Sequence, residues 1–266
     1  MAAAADDNDA YEDAWAPLEA ELDAWMASGR AASVWWRDDD AARPTAALDR
    51  LLGLAATAGA PLALAVVPAW LCADPSPALA ERSGVAVLQH GFAHVNHAKA
   101  AGEKGACEIG LHRGRTAILD DLAVGRACLE QAFGNAFVPV LVPPWNRLDQ
   151  ALLPDIAGLG YRGVSTFGPR GPAVGPAGLV VNNCHCDAVD WKHDHAFRGT
   201  ARTLVQLIGH LAARRAGEAD PDEASGLLTH HLDMDEATWA FTARLLDTLA
   251  RHPAVNWMNA REIFSP

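Results

Sequence analysis

Three acids in succession, Asp38-Asp39-Asp40, end the β-prone run Ser33-Val34-Trp35-Trp36-Arg37. Like charges this close disfavour one another's ionised forms unless a cation relieves them. The run is therefore either a solvated acidic loop or one side of a cation site. His90 and His94 follow a second apolar run, Val85–Gln89. If the turn after that run were helical, the i, i+4 spacing would set both imidazoles on one face, a two-point grip on a metal. Pro143-Pro144-Trp145, Asp187-Ala188-Val189-Asp190-Trp191 and Leu228-Thr229-His230 bring further polar and aromatic groups to the ends of later runs or short loops.

These groups need elements to position them. Ala14–Met26 has apolar residues at helical spacing and is expected to form a helix outside the main fold, within an N-terminal extension of residues 1–32. From 33 to 266 short apolar strands alternate with amphipathic helices. Strands are expected at 33–37, 62–67, 85–89, 137–142, 163–166, 179–182, 226–229 and 255–258. Helices are expected from Pro44 or Thr45 through Leu52, and over 114–133, 148–159, 202–214 and 236–251. Continuous apolar strands between helices predict a mainly parallel sheet with helices outside. The chemically capable residues fall where strands stop, the place at which α/β barrels gather reactive groups. The Gly/Pro segment 168–178 is expected to be a surface loop.

Taken in order, Asp38-Asp39 with Thr45, His90-x-x-x-His94, Pro143-Pro144-Trp145, Asp187-x-x-Asp190-Trp191 and Leu228-Thr229-His230 resemble the five motifs of the polysaccharide deacetylases. This is the NodB-homology, carbohydrate esterase family 4 type of metal-dependent de-N-acetylase, and the resemblance runs from about Ser33 to Phe264. It implies a distorted (β/α)7-type barrel. It also implies a general base, Asp38, and one divalent ion on Asp39, His90 and His94. Pro144 and Trp145 would wall the groove with a backbone N–H toward the oxyanion. Asp187, Asp190 and Trp191 would orient His230, the general acid. Three protein ligands leave a position open, as catalytic zinc sites do, and zinc is the ion that this set favours. The implied substrate is an N-acetylated sugar or related small metabolite. The alternatives are a non-sugar cyclic or linear amide, or a catalytically silent sugar-binding protein.

The chain departs from that pattern in places. Trp36-Arg37 precede the acidic pair and Asp40-Ala41 follow it, so Asp39-Asp40 is an alternative register, although the spacing to Thr45 favours Asp38-Asp39. Val142 stands where the family carries an arginine, and Arg37 or Arg147 is the candidate replacement. His231 beside His230 is an alternative acid and a candidate substrate contact. Trp145 and Trp191 are candidates for stacking on a sugar face, whereas Trp35 and Trp36 suit packing. Cys184-His185-Cys186 lacks the spacing of a zinc knuckle.

Composition narrows the partners. The 266 residues carry 21 Lys+Arg against 33 Asp+Glu, a formal charge of −12. That balance argues against nucleic acid or an anionic membrane, both of which reward basic patches. No apolar run reaches membrane-spanning length. The N-terminal stretch is Ala- and Asp-rich without a basic start, and the five scattered cysteines suit a reducing compartment, so a cytoplasmic location is expected.

Overall fold

The computed structural model describes residues 14–71, 84–100, 102 and 104–265. The Ala/Asp-rich residues 1–13 and Cys72 lie outside them. β1 (Ala32–Ala41), β2 (Leu62–Val66), β3 (Val85–His90), β4 (Phe137–Val142), β5 (Gly163–Val164), β6 (Val180–Val181), β7 (Cys186–Asp187), β10 (Ser225–Thr229) and β11 (Val255–Trp257) build one sheet. Its order is β6-β5-β4-β3-β2-β1-β10-β7, with β11 on β1 and every pairing parallel. The end strands β6 and β7 do not pair with each other, so the sheet is a curled, incompletely closed barrel of the distorted type expected. β8 (Val189–Asp190) and β9 (Ala196–Phe197) form a separate antiparallel hairpin.

Period-two alternation sorts the strands into an inner and an outer face. Trp36, Leu62, Leu64 and Val66 pack under the helices, while Trp35, Ala63, Ala65, Ala86 and Leu88 fill the barrel interior. Small inner residues leave room for Trp35. The helices are α1 (Ala16–Ala27), α2 (Ala46–Ala58), α3 (Arg115–Phe133), α4 (Leu153–Gly158), α5 (Thr200–Ala216), α6 (Glu236–Arg251) and α7 (Ala260–Ile263). Thr45 caps α2 by accepting from the Leu48 N–H at 3.0 Å, and Gly59 ends it in the left-handed region. The helix expected over 148–159 is shorter. Pro154 tolerates only the first turn, so α4 starts beside it, after the 3-10 turn Gln150–Leu152.

α1 packs into the domain. Trp15, Leu18, Leu22 and Trp25, spaced as one helical stripe, join the same buried cluster as Leu204, Phe241 and Leu245. Each such burial contributes about 1.5–3 kcal/mol. A two-pronged ion pair from Arg215 to Glu21 ties α1 to α5.

Because all sheet strands run the same way, the residues at their C-terminal ends share one rim. Asp40, His90, the turn after Val142, Asp187 and His230 are therefore neighbours in space.

Candidate active site

The three aspartates, chemically identical, take three different surroundings. Alternation along β1 puts Asp38 on the helix side with Trp36, and Arg37 and Asp39 on the inner side with Trp35. Asp38 is fully buried and accepts from the Thr229 hydroxyl at 2.6 Å and the His231 N–H at 3.1 Å, with His231 Nδ1 at 2.5 Å. Asp39 faces inward and is gripped by Arg37, Nε to Oδ1 at 2.8 Å and Nη2 to Oδ2 at 3.0 Å. Asp40 would point back out if the alternation continued. Its φ of 66° and the register shift between Asp38 and Ala41 break the pleat and turn its carboxylate to the rim.

Asp40 is the carboxylate that meets the imidazoles. Its Oδ1 lies 3.4 Å from His90 Nε2 and 3.3 Å from His94 Nε2. The geometric cluster is Asp40, His90 and His94; it contains both histidines of the expected set, and its carboxylate is that of the alternative Asp39-Asp40 register. The bulge that turns Asp40 to the rim, invisible in a run of identical acids, lies at the last member of that run. The turn after β3 is not helical either. Gly91 and His94 both adopt positive φ, and the buried Glu108 carboxylate accepts from the Phe92 and Ala93 N–H groups at 3.1 and 2.8 Å. A Cβ on Gly91 would lie 2.0 Å from Glu108 Oε2.

These residues fit a divalent ion. Asp40 Oδ1 is buried with no hydrogen-bond partner. His90 Nδ1 lies 3.0 Å from the Val142 carbonyl, which holds a proton on Nδ1 and aims Nε2 at Asp40. Burial alone would raise the Asp40 carboxyl, but His90 and His94 more than reverse this and hold it well below the usual carboxylate range. The set of one carboxylate and two imidazoles, whose ligand atoms lie within 4.8 Å of one another, could hold a divalent metal ion.

Arg37 is buried on β1 and pairs with Asp39, whereas Val142 at the end of β4 brings no charge to the acid. Arg37 also donates to Ser165 Oγ at 2.7 Å and Asn146 Oδ1 at 2.8 Å. Arg147 instead donates to the Lys104 and Ala106 carbonyls. Trp145 and Asn146 are consecutive left-handed residues, each a strain of about 1–3 kcal/mol for a non-glycine. That turn sets the Trp145 ring 4.3 Å from His94 while Asn146 holds Arg37.

A cavity of about 630 Å³ opens over the cluster, lined on one side by Asp39, Asp40, His90, His94 and Trp145. Asp187, Trp191 and His230 line the other. His230 Nε2 is 3.9 Å from Asp39 Oδ2, and its ring meets Trp191 edge to face at 4.5 Å. Four expected residues lie elsewhere. Asp38 and His231 bond each other away from this cavity. Asp190 holds His193 and Arg202. Pro144 packs under the turn against Gly91. Asp187 lines the cavity but accepts from Val189 N–H and Trp191 Nε1. It orients the tryptophan, and His230 Nδ1 has no hydrogen-bond partner among the described residues. Phe167, His195, Arg198, Gln206 and Asp233 also line the space; of these, Phe167, Arg198 and Gln206 carry no motif that reasoning from sequence could use.

A second group, His185, His210 and Glu223, is buried at the opposite end, where β10 begins. The imidazoles stack at 3.4 Å and 11°, each Nε2 3.3–3.4 Å from a Glu223 oxygen. Lone pairs of rings stacked in nearly parallel planes stay in those separate planes and cannot both aim at one ion. His185 Nδ1 accepts from the Gly226 N–H at 3.0 Å, so the neutral ring keeps its proton on Nε2. The group is a structural staple. Cys184 and Cys186 take no part, being buried in the inner and outer cores respectively.

Burial, outweighing the attraction of Glu223, lowers His185 from its ordinary 6.5 to about 4. The unfolded chain therefore binds the extra proton first as the solution is acidified. The contribution of this group is complete above pH 6.5 and is lost between 6.5 and 4, at most about 3 kcal/mol. Urea unfolding at pH 7.5 and 4.5 is expected to show that loss, and His185→Gln to flatten it. Equal pH dependence in both proteins would overturn the assignment.

Comparison with known proteins places the fold. No protein-family model and no curated protein sequence matches the chain. Solved structures do. A Mycobacterium smegmatis protein classed with the polysaccharide deacetylases superposes with a TM-score of 0.59 at 18% identity, covering 88% of this chain and 92% of that one. The polysaccharide deacetylase Bc1974 from Bacillus cereus gives 0.52 at 16%, covering 86% and 93%. A family 4 carbohydrate esterase from Streptomyces lividans gives 0.52 at 16%, covering 82% and 88%. The chain shares the fold of these proteins over most of their length.

Proposed function

We propose that this protein is a metal-dependent deacetylase of the polysaccharide deacetylase type, removing the acetyl group from an N-acetylated sugar or related small metabolite. The observation that carries this reading is the unpartnered Asp40 Oδ1 facing His90 and His94 on the floor of a cavity that also holds Asp39 and His230. Asp40, His90 and His94 are the ligands, zinc is the favoured ion, and residues 33–266 carry the activity with α1 packed on them. A cytoplasmic location, as the cysteine pattern suggests, belongs to the same proposal.

When bound, the ion supplies Lewis-acid polarisation of the acyl oxygen and acidifies a water. The chain does the rest. Asp39 stands beside the cluster and takes the proton of the attacking water. Arg37 fixes the orientation of that carboxylate and stabilises its charge in the dry interior. The Trp145 backbone N–H is the proposed donor to the oxyanion. Trp145 and Trp191 form facing walls that suit a sugar ring. His230, on the Trp191 side, protonates the amine nitrogen as the C–N bond breaks, since an unprotonated amine leaves poorly.

The test is acetate release from a panel of N-acetyl sugars before and after chelation. Activity is expected to fall at least about 100-fold with chelator and to return with added zinc. Chelator-sensitive opening of another amide without acetate would move the substrate class. Binding without turnover would leave a silent sugar-binding protein.

A further inference from the structure

We propose that the substrate carries an anionic group, a carboxylate or a phosphate, and that Arg198 recognises it. The reaction rests on the deacetylase reading; the anion does not. The argument is one of unused hydrogen-bond donors around the cavity. The carboxylates that line it are each committed within the protein. Asp39 pairs with Arg37, Asp40 faces the two imidazoles of its proposed ligand set, Asp187 accepts from Val189 N–H and Trp191 Nε1, and Asp233 lies 2.8 Å from His195 Nδ1. On the adjoining surface Arg202 is held near Asp190 at 3.5 Å.

Arg198 is the exception. It follows β9, lines the cavity half-buried, and makes one anchoring bond, from Nη2 to the Val189 carbonyl at 2.9 Å. No carboxylate among the described residues forms an ion pair with it, and its Nε is buried without a hydrogen-bond partner. A guanidinium removed from bulk water on one side and fixed through one nitrogen offers a planar fork. That fork suits a carboxylate or a phosphate, each of which accepts two parallel N–H groups. The same hairpin supplies Trp191 and His195, so one wall presents an apolar face and an anion-binding corner together. A neutral N-acetyl sugar satisfies the first and leaves the second uncompensated.

The test compares N-acetylglucosamine, its 6-phosphate and its lactyl ether, which carries a carboxylate, as substrates of the zinc-loaded protein. The wild type is expected to favour at least one anionic compound by about 10–100-fold in kcat/KM, and the better of the two identifies the group. Arg198→Gln is expected to lose most of that preference while falling less than about threefold on the neutral sugar, with Arg198→Lys intermediate. A wild type without preference, or an equal fall on all three compounds, overturns the proposal. If the wild type releases acetate from none of them, the deacetylase reading fails separately. Calorimetric titration then decides the anion question: at least tenfold tighter binding of an anionic compound, lost in Arg198→Gln, supports it, and equal binding sinks it.

Discussion

Asp40→Ala is expected to purify without its zinc and to lose acetate release on the order of a thousandfold, because removing the carboxylate leaves two imidazoles as the only protein ligands. Asp39→Asn is expected to keep the ion and still lose roughly 10²–10⁴-fold, the usual contribution of a general base. Asp38→Asn should do neither. It disturbs a fully buried carboxylate bonded to Thr229 and His231, so its effect is on stability, about 1–3 kcal/mol. Metal analysis, acetate assay and chemical denaturation of the three variants together assign the three positions. If Asp38→Asn kept its stability and lost turnover, or if Asp39→Asn were the variant that lost zinc, the register would be the earlier one.

Arg37→Leu is expected to be the most destabilising single change near the site. It strands the Asp39 carboxylate, almost inaccessible to water, without its counterion. Breaking a buried pair from one side costs about 3–5 kcal/mol. The double variant Arg37→Leu, Asp39→Leu removes both charges and is expected to recover most of that loss while remaining inactive. Such recovery with no return of acetate release would separate the structural cost of the pair from its chemical use. A single variant as stable as the wild type would show that Arg37 is not the counterion.

Much of this was legible because period and punctuation are local. Alternation of apolar strands with helices indicated the parallel sheet, and Thr45 marked a helix start through its own capping chemistry, whereas Pro154, inside the helix expected over 148–159, was read through. His90, His94, Trp145, Trp191 and His230 were legible as a constellation because each sits where a strand or short loop ends. What stayed hidden depends on contacts distant in sequence or on backbone angles. The turn of Asp40 into the cavity needs a φ of 66° that a run of three aspartates does not announce. Two-residue strands such as β8 and β9 carry no period to detect. Glu108 and Arg198 have no neighbouring motif, and only the folded loops bring them to the rim. Arg37 was distinguishable from Arg147 only by which of them reaches the acid.

The three aspartates have one further consequence, at the level of mutation. Deleting any one of them yields the same polypeptide, Arg37 followed by two acids and an alanine. Such a loss has no positional identity, and the shortened strand must then abandon one of three attachments: the His231 anchor, the guanidinium partner or the paired imidazoles. Substitution can tell these positions apart, whereas a single-codon deletion cannot. A change of length in this stretch is therefore expected to be as damaging as a change of residue type.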